Sequence, residues 1–151
     1  MDNTYSIITK SARETQTFGQ AVAASLIGQR KQHPRIFCLY GELGSGKTTY
    51  TQGFAKGMGL SSRLLSPTFI IVRRYSLIRG ETFFYHIDLY RIKNAGDLDG
   101  LGLREIFSDP NAIILIEWAQ RLRALLPEKR TDITFEVINE KERKITLTKV
   151  P

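Results

Sequence analysis

The sequence predicts an α/β fold: a sheet with a parallel centre and antiparallel hairpin additions, covered by helices on both faces. Three observations predict it. Strand-like and helix-like segments alternate through the first half of the chain, the order that builds parallel strands with crossover helices. "IFCLY" (36–40) and "AIILIE" (112–117) are continuous apolar runs of strand length, as strands buried on both faces require. Two pairs of strand-like segments, "FIIVRRY" with "TFFYHIDLY" and "DITFEVI" with "KITLTKV", are separated by short polar stretches and read as hairpins. The 151 residues suit one domain, spanning 1–151. A chain of this length buries roughly 70% of the surface its unfolded form exposes, enough for a real core.

The elements follow in order. "TYSIIT" is a short strand. A helix begins after Ser11, whose spacing to Glu14 is that of a capping box, with Phe18, Val22 and Leu26 recurring at helical spacing. "HPR" breaks the chain before "IFCLY". A glycine-rich loop precedes a second helix, "TTYTQGFAKGM", which ends at Gly57 and Gly59. "SSRLLSPTF" is a loop, because Pro67 restricts Ser66. "LIRGE" turns the first hairpin. "NAGDLDGLGLREIF" holds a short helix among turns, its glycines opposing anything longer. "AIILIE" follows, then a helix over "WAQRLRALLP", stopped by Pro127. The second hairpin closes the chain.

Composition bounds the function. The protein is 42% hydrophobic and 25% charged, so neither disorder nor a fibrous class applies. The single cysteine, Cys38, has no internal partner and sits in an apolar run, where it reads as a small buried hydrophobe. A reducing, cytoplasmic location is expected, with no signal peptide and no apolar run of membrane length. The net charge of +7 favours an anionic partner. The surplus concentrates at Arg63, Arg73, Arg74, Arg79, Arg91 and Lys93, a stretch that serves equally as a solvated face.

The chemistry starts at "GELGSGKTT". Gly41, Gly46, Lys47 and Thr48 match the Walker A pattern of a P-loop, between an apolar strand and a helix as that motif demands. The glycines let backbone N–H groups turn inward as a nest for phosphate oxygens, and the following helix aims its positive end at the same point. The cradle comprises Gly41, Glu42, Leu43, Gly44, Ser45, Gly46, Lys47, Thr48 and Thr49. Lys47 supplies a mobile cation and Thr48 a hydroxyl for Mg²⁺. The ligand expected is ATP with Mg²⁺, on a P-loop NTPase-like sheet.

Hydrolysis also needs a carboxylate at the metal and a group that orients the nucleophile. Carboxylates at the tips of apolar strands supply these, because strand ends in such sheets meet at the ligand crevice. Glu117 ends "AIILIE" and Asp88 ends "FFYHID". Each alternatively reads as a solvated strand end or half of an ion pair. Lys47, Asp88 and Glu117 are the catalytic candidates, Thr48 and Glu117 the metal candidates. His86 shares a strand face with Asp88, and packing is favoured over catalysis for it. Trp118, beside Glu117, covers the site or stacks on a base, or else packs in the core. Thr68 is a candidate switch-loop hydroxyl.

"GELGSGKTT", "SPTF", "YHIDLYR", "LIEWAQR" and "LP", in this order, resemble the TsaE (YjeE) family of small bacterial P-loop ATPases, from about Ile36 to Pro127. The resemblance implies an accessory ATPase of tRNA threonylcarbamoyladenosine modification. It would act with the TsaB–TsaD complex, meet tRNA only through that complex, and reset the complex between turnovers. It implies Lys47 on the phosphates, Thr48 with Glu117 at Mg²⁺, Asp88 as a catalytic or metal-organising acid, and Thr68 in a switch-like loop. Arg73-Arg74 departs from the acidic or neutral pair usual in relatives. Three other classes share the P-loop. A small-molecule kinase needs an acceptor pocket and lid, and no lid segment is evident. A GTPase needs an N-K-x-D run, which is absent from the sequence. A nucleic-acid module that holds ATP would use Tyr75, Phe83, Phe84 and Tyr85 among the arginines for stacking. Strand alternation instead sends half of these inward, the reading favoured here.

Overall fold

A computed structural model describes residues 3–27, 35–60, 70–77 and 82–151. The elements are β1 (Thr4–Thr9), α1 (Ala12–Ala24), β2 (Arg35–Tyr40), α2 (Lys47–Gly57), β3 (Val72–Ser76), β4 (Phe83–Asp88), α3 (Leu103–Ser108), β5 (Ala112–Glu117), β6 (Arg130–Val137) and β7 (Arg143–Val150). They form a sheet of seven strands in the order β1-β7-β6-β2-β5-β4-β3. β6, β2, β5 and β4 run parallel, while β1, β7 and β3 attach antiparallel. The predicted fold class is thus the observed one, and both hairpins form.

Strand alternation sends two apolar sets to opposite faces. Phe37, Leu39 and Leu115 pack with Tyr50 and Phe54 of α2 on one face. Ile36, Cys38, Ile114 and Ile116 pack with Leu103 of α3 and with Leu122 on the other. Cys38 is fully buried, and burial pushes its thiol up to about 12, so it is an inert packing residue. Phe84 and Tyr85 are both buried, on opposite faces of β4, so they present no outward row for base stacking.

α1 begins as its sequence predicts. Ser11 Oγ accepts from Glu14 N at 3.1 Å, and the Glu14 carboxylate reaches back to Lys10 N at 2.6 Å, one residue earlier than a standard capping box. α1 lies against α2 with almost no clearance, because glycines face the contact. A Cβ at Gly53 would stand 1.9 Å from Gln16 O, and one at Gly19 2.4 Å from Tyr50 O. In an exposed helix Gly→Ala adds stability; at this contact the sign reverses, because backbone cannot yield as a flexible side chain does. Gly53→Ala is expected to destabilise the fold by about 3 kcal/mol, read as a lower urea midpoint at unchanged slope.

One predicted element differs. "WAQRLRALLP" is not an α-helix but a 3₁₀ segment, Ala119–Leu125, broken by the non-helical Arg123 (φ 52°, ψ −120°). It leaves β5 through Trp118 in the left-handed region (φ 60°). Long-range bonds override the local helix preference. Arg121 donates to the carbonyls of Tyr90 and of Ile92 (2.9 Å for Ile92), and Arg123 to that of Lys93 (3.4 Å). The segment is tied sideways to the chain after β4 instead of winding on its own axis. A shorter 3₁₀ turn, Ala95–Leu98, and α3 make up the glycine-interrupted stretch, as expected.

Candidate functional site

The parallel register decides which side chains meet. Leu39 pairs with Glu117, and Glu117 with Asp88, so the C-terminal ends of β2, β5 and β4 are level. The chain leaving β2 becomes the glycine loop at this same edge and enters α2 at Lys47. Gly41, Gly44 and Gly46 all have positive φ (154°, 81° and 105°), so the loop curls as the motif predicts. A Cβ on Gly41 would stand 2.5 Å from Ser45 Oγ, which closes the base of the loop tightly. Gly46 opens α2 with no side-chain cap among the described residues, which leaves the helix's positive end to whatever sits in the cleft.

Lys47 folds back into the loop. Its Nζ donates to Gly41 O at 2.5 Å and to Glu42 O at 2.9 Å, and lies 4.3 Å from the centre of the Trp118 ring. Burial lowers its pKa, while Glu117, Glu42 and Asp88 pull it back up. Thr48 Oγ1 donates to Glu117 Oε1 at 3.2 Å, so the two metal candidates are already in contact. Glu117 is buried, 3% exposed, and its other oxygen, Oε2, meets His86 Nε2 at 2.7 Å. Asp88 accepts Tyr90 N at Oδ1, 3.0 Å away. Burial raises its pKa, the neighbouring Glu117 raises it further, and the Tyr90 bond opposes both.

A cleft of about 700 Å³ opens over these groups. Lys47, Thr48, Thr49, Asp88 and Glu117 line its floor together with Leu43, Gly44 and Gly46. Gly41, Glu42 and Ser45 shape the loop from behind and do not line it. Trp118 lines the cleft, its ring centre 4.3 Å from Lys47 Nζ and 5.2 Å from the Arg121 guanidinium, with Tyr90 packed beside it (5.3 Å). Trp118 thus both packs against the core and borders the cleft. Thr68 lies outside the described residues.

Ser11 and Thr15 at the start of α1 also line the cleft, as do Lys141 and Arg143 of the closing hairpin, whose part in it sequence reasoning missed. Arg143 Nη2 donates to Gly44 O at 3.2 Å, while its Nη1 caps the hairpin carbonyls of Asn139 (2.7 Å) and Glu142 (3.0 Å). It thus ties the β6–β7 turn to the glycine loop. No local signal announces this, because Arg143 and Gly44 lie 99 residues apart. His86 was read as packed; it is buried, and it is also a direct partner of the candidate metal acid.

The set suits a nucleotide with Mg²⁺. Among the described residues no group of three or more His, Cys, Asp or Glu side chains is arranged to hold an ion alone. Mg²⁺ does not need one, since it is bound through one or two protein oxygens, phosphates and retained waters. Thr48 and Glu117 could provide that minimum beside a helix start with no side-chain cap among the described residues.

Comparison with known proteins agrees. The family model "Threonylcarbamoyl adenosine biosynthesis protein TsaE" matches residues 9–145. A Bacillus subtilis protein named tRNA threonylcarbamoyladenosine biosynthesis protein TsaE is 39% identical over 115 residues, 76% of this chain and 70% of that one. A Treponema pallidum protein of the same name is 29% identical over 140 residues, covering 93% and 97%. The crystal structure of YdiB from Bacillus subtilis superposes with a TM-score of 0.77 at 32% identity, over 100% of this chain and 88% of that one. With a P-loop at the level ends of a parallel sheet and a family match across nearly its whole length, the chain belongs to the TsaE family.

Proposed function

We propose that the protein is a Mg²⁺-dependent ATPase that serves tRNA threonylcarbamoyladenosine modification as an accessory to the TsaB–TsaD complex. The observation that carries this reading is the convergence of Lys47, Thr48, Asp88 and Glu117 on one cleft at the mouth of the glycine loop. The phosphates lie over Gly44 to Thr49, against the start of α2. Lys47 exchanges its two carbonyl acceptors for phosphate oxygens, a short move for a flexible side chain. Base and ribose extend toward Ser11, Thr15, Lys141 and Arg143. Thr48 and Glu117 would hold Mg²⁺, which would supply positive charge against that developing on γ-phosphate cleavage.

The two acids divide the work. Glu117 has both oxygens committed, to Thr48 and His86, and serves as the metal-side acid. Asp88 accepts Tyr90 N at Oδ1 and lines the cleft, and its raised pKa suits it to orient and polarise the attacking water. Trp118 and Tyr90 line the cleft beside these acids. Among the described residues the one arginine lining the cleft is Arg143, which donates to Asn139 O and Gly44 O, so slow intrinsic turnover is expected. The test is phosphate release measured alone and with TsaB–TsaD: stimulation by the complex is expected. ADP formation dependent on a small metabolite instead would assign the protein to the kinases.

A further inference from the structure

We propose that His86 is a positioning residue for the metal-side carboxylate of Glu117, acting through that carboxylate and touching neither metal nor nucleotide. The proposal rests on the reading of Glu117 as the acid beside Mg²⁺. His86 lies two register pairs behind Asp88 on β4, on the same sheet face, opposite Leu115 of β5. From there its ring runs along the sheet toward the strand ends, and Nε2 meets Glu117 Oε2 at 2.7 Å. Both groups are buried, at 7% and 3% exposure.

The need for such a residue is physical. The terminal torsion of a glutamate is broad, so a single contact leaves its carboxylate free to rotate. Thr48 alone, at 3.2 Å, is a long contact to one oxygen. With His86 on Oε2 and Thr48 on Oε1, the carboxylate is held from both sides and its plane is set. The same bond compensates an ionised group taken out of water, which is costly when unpaired. His86 can donate to an ionised carboxylate only with the proton on Nε2. Metal sites use partners of this kind to orient their ligands, and losing one costs about 10–100-fold in metal affinity.

Two amide substitutions separate positioning from packing. In His86→Gln the side-chain amide nitrogen falls near the place of Nε2; in His86→Asn it falls short of Glu117. The measurement is Mn²⁺ affinity of the protein–ADP complex by electron paramagnetic resonance, with ADP affinity in EDTA as the companion readout. His86→Asn is expected to weaken Mn²⁺ by about 10-fold or more and His86→Gln by less than about 3-fold, both with unchanged metal-free ADP affinity. In a Glu117→Gln background His86→Asn should add nothing, because the group it positions has lost its charge. Wild-type Mn²⁺ affinity in His86→Asn overturns the proposal, as does a loss that persists undiminished in the Glu117→Gln background. If Glu117→Gln itself binds Mn²⁺ normally, the reading of Glu117 falls; if it loses Mn²⁺ while His86→Asn does not, only His86's role falls. A check free of substitutions is the ¹⁵N spectrum of the imidazole in the wild-type protein. A proton on Nε2 is expected, and an unprotonated Nε2 overturns the proposal.

Discussion

Lys47→Ala abolishes ATP hydrolysis: phosphate release is expected to fall by at least about 10³-fold, as when a principal electrostatic contact to a transition state is removed. Lys47 is the buried cation of the cleft floor, and it faces the Glu117 and Asp88 carboxylates. Its removal takes away the charge that meets the phosphates. It also leaves two level carboxylates without their compensating cation, so ATP affinity falls together with turnover. The fold should survive, since among the described residues the hydrogen bonds of Lys47 Nζ go to loop carbonyls and none of the α2 core residues is touched. Near-normal phosphate release in a folded Lys47→Ala protein would refute the site assignment.

Asp88→Asn and Glu117→Gln remove turnover while sparing much of the nucleotide affinity, because the glycine loop and Lys47 remain. Nucleotide titration and phosphate release on the same samples check this; normal hydrolysis in either variant removes that residue from the mechanism. Asp88→Asn carries a second signature. Burial and the neighbouring Glu117 raise the folded pKa of Asp88 above its unfolded value. The folded state therefore holds its proton more tightly, and stability is lost as pH rises from the ordinary carboxylate range through the raised folded pKa. An amide never ionises and escapes that cost. In metal-free protein Asp88→Asn is expected to be more stable than wild type at neutral pH. The gain should shrink as pH falls toward about 3.9, the ordinary aspartate value. Urea unfolding in EDTA at both pH values measures it. A variant less stable than wild type at neutral pH would show that Asp88 is held by partners stronger than Tyr90 N.

The site was legible to the extent that its chemistry is local. Gly41 to Thr49 form one contiguous loop whose glycines, cation and hydroxyl each have a reason visible in sequence. Glu117 and Asp88 were legible one step further out, because a charge at the tip of an apolar strand needs a partner. His86 was not, since a histidine on a strand face is usually packed, and only the β4–β5 register brings its Nε2 to Glu117. Arg143 was silent for the same reason at greater distance. The predicted helix after Trp118 failed because Arg121 and Arg123 bind carbonyls some thirty residues away in sequence, a competition that periodicity does not record.

Sequence by itself determined the layers, the two hairpins and the identity of the phosphate loop, because these follow from periods of apolar residues and from short-range backbone chemistry. Tertiary structure decided the strand order, which sets the end of β2 beside that of β5 and the end of β5 beside that of β4. That order levels Glu117 and Asp88 with the end of β2, from which the loop to Lys47 leaves, and brings His86 to Glu117 and Arg143 of the last hairpin to Gly44. Its origin is pairing between segments far apart in the chain, fixed by the burial of both sheet faces at once, which no single stretch of residues encodes.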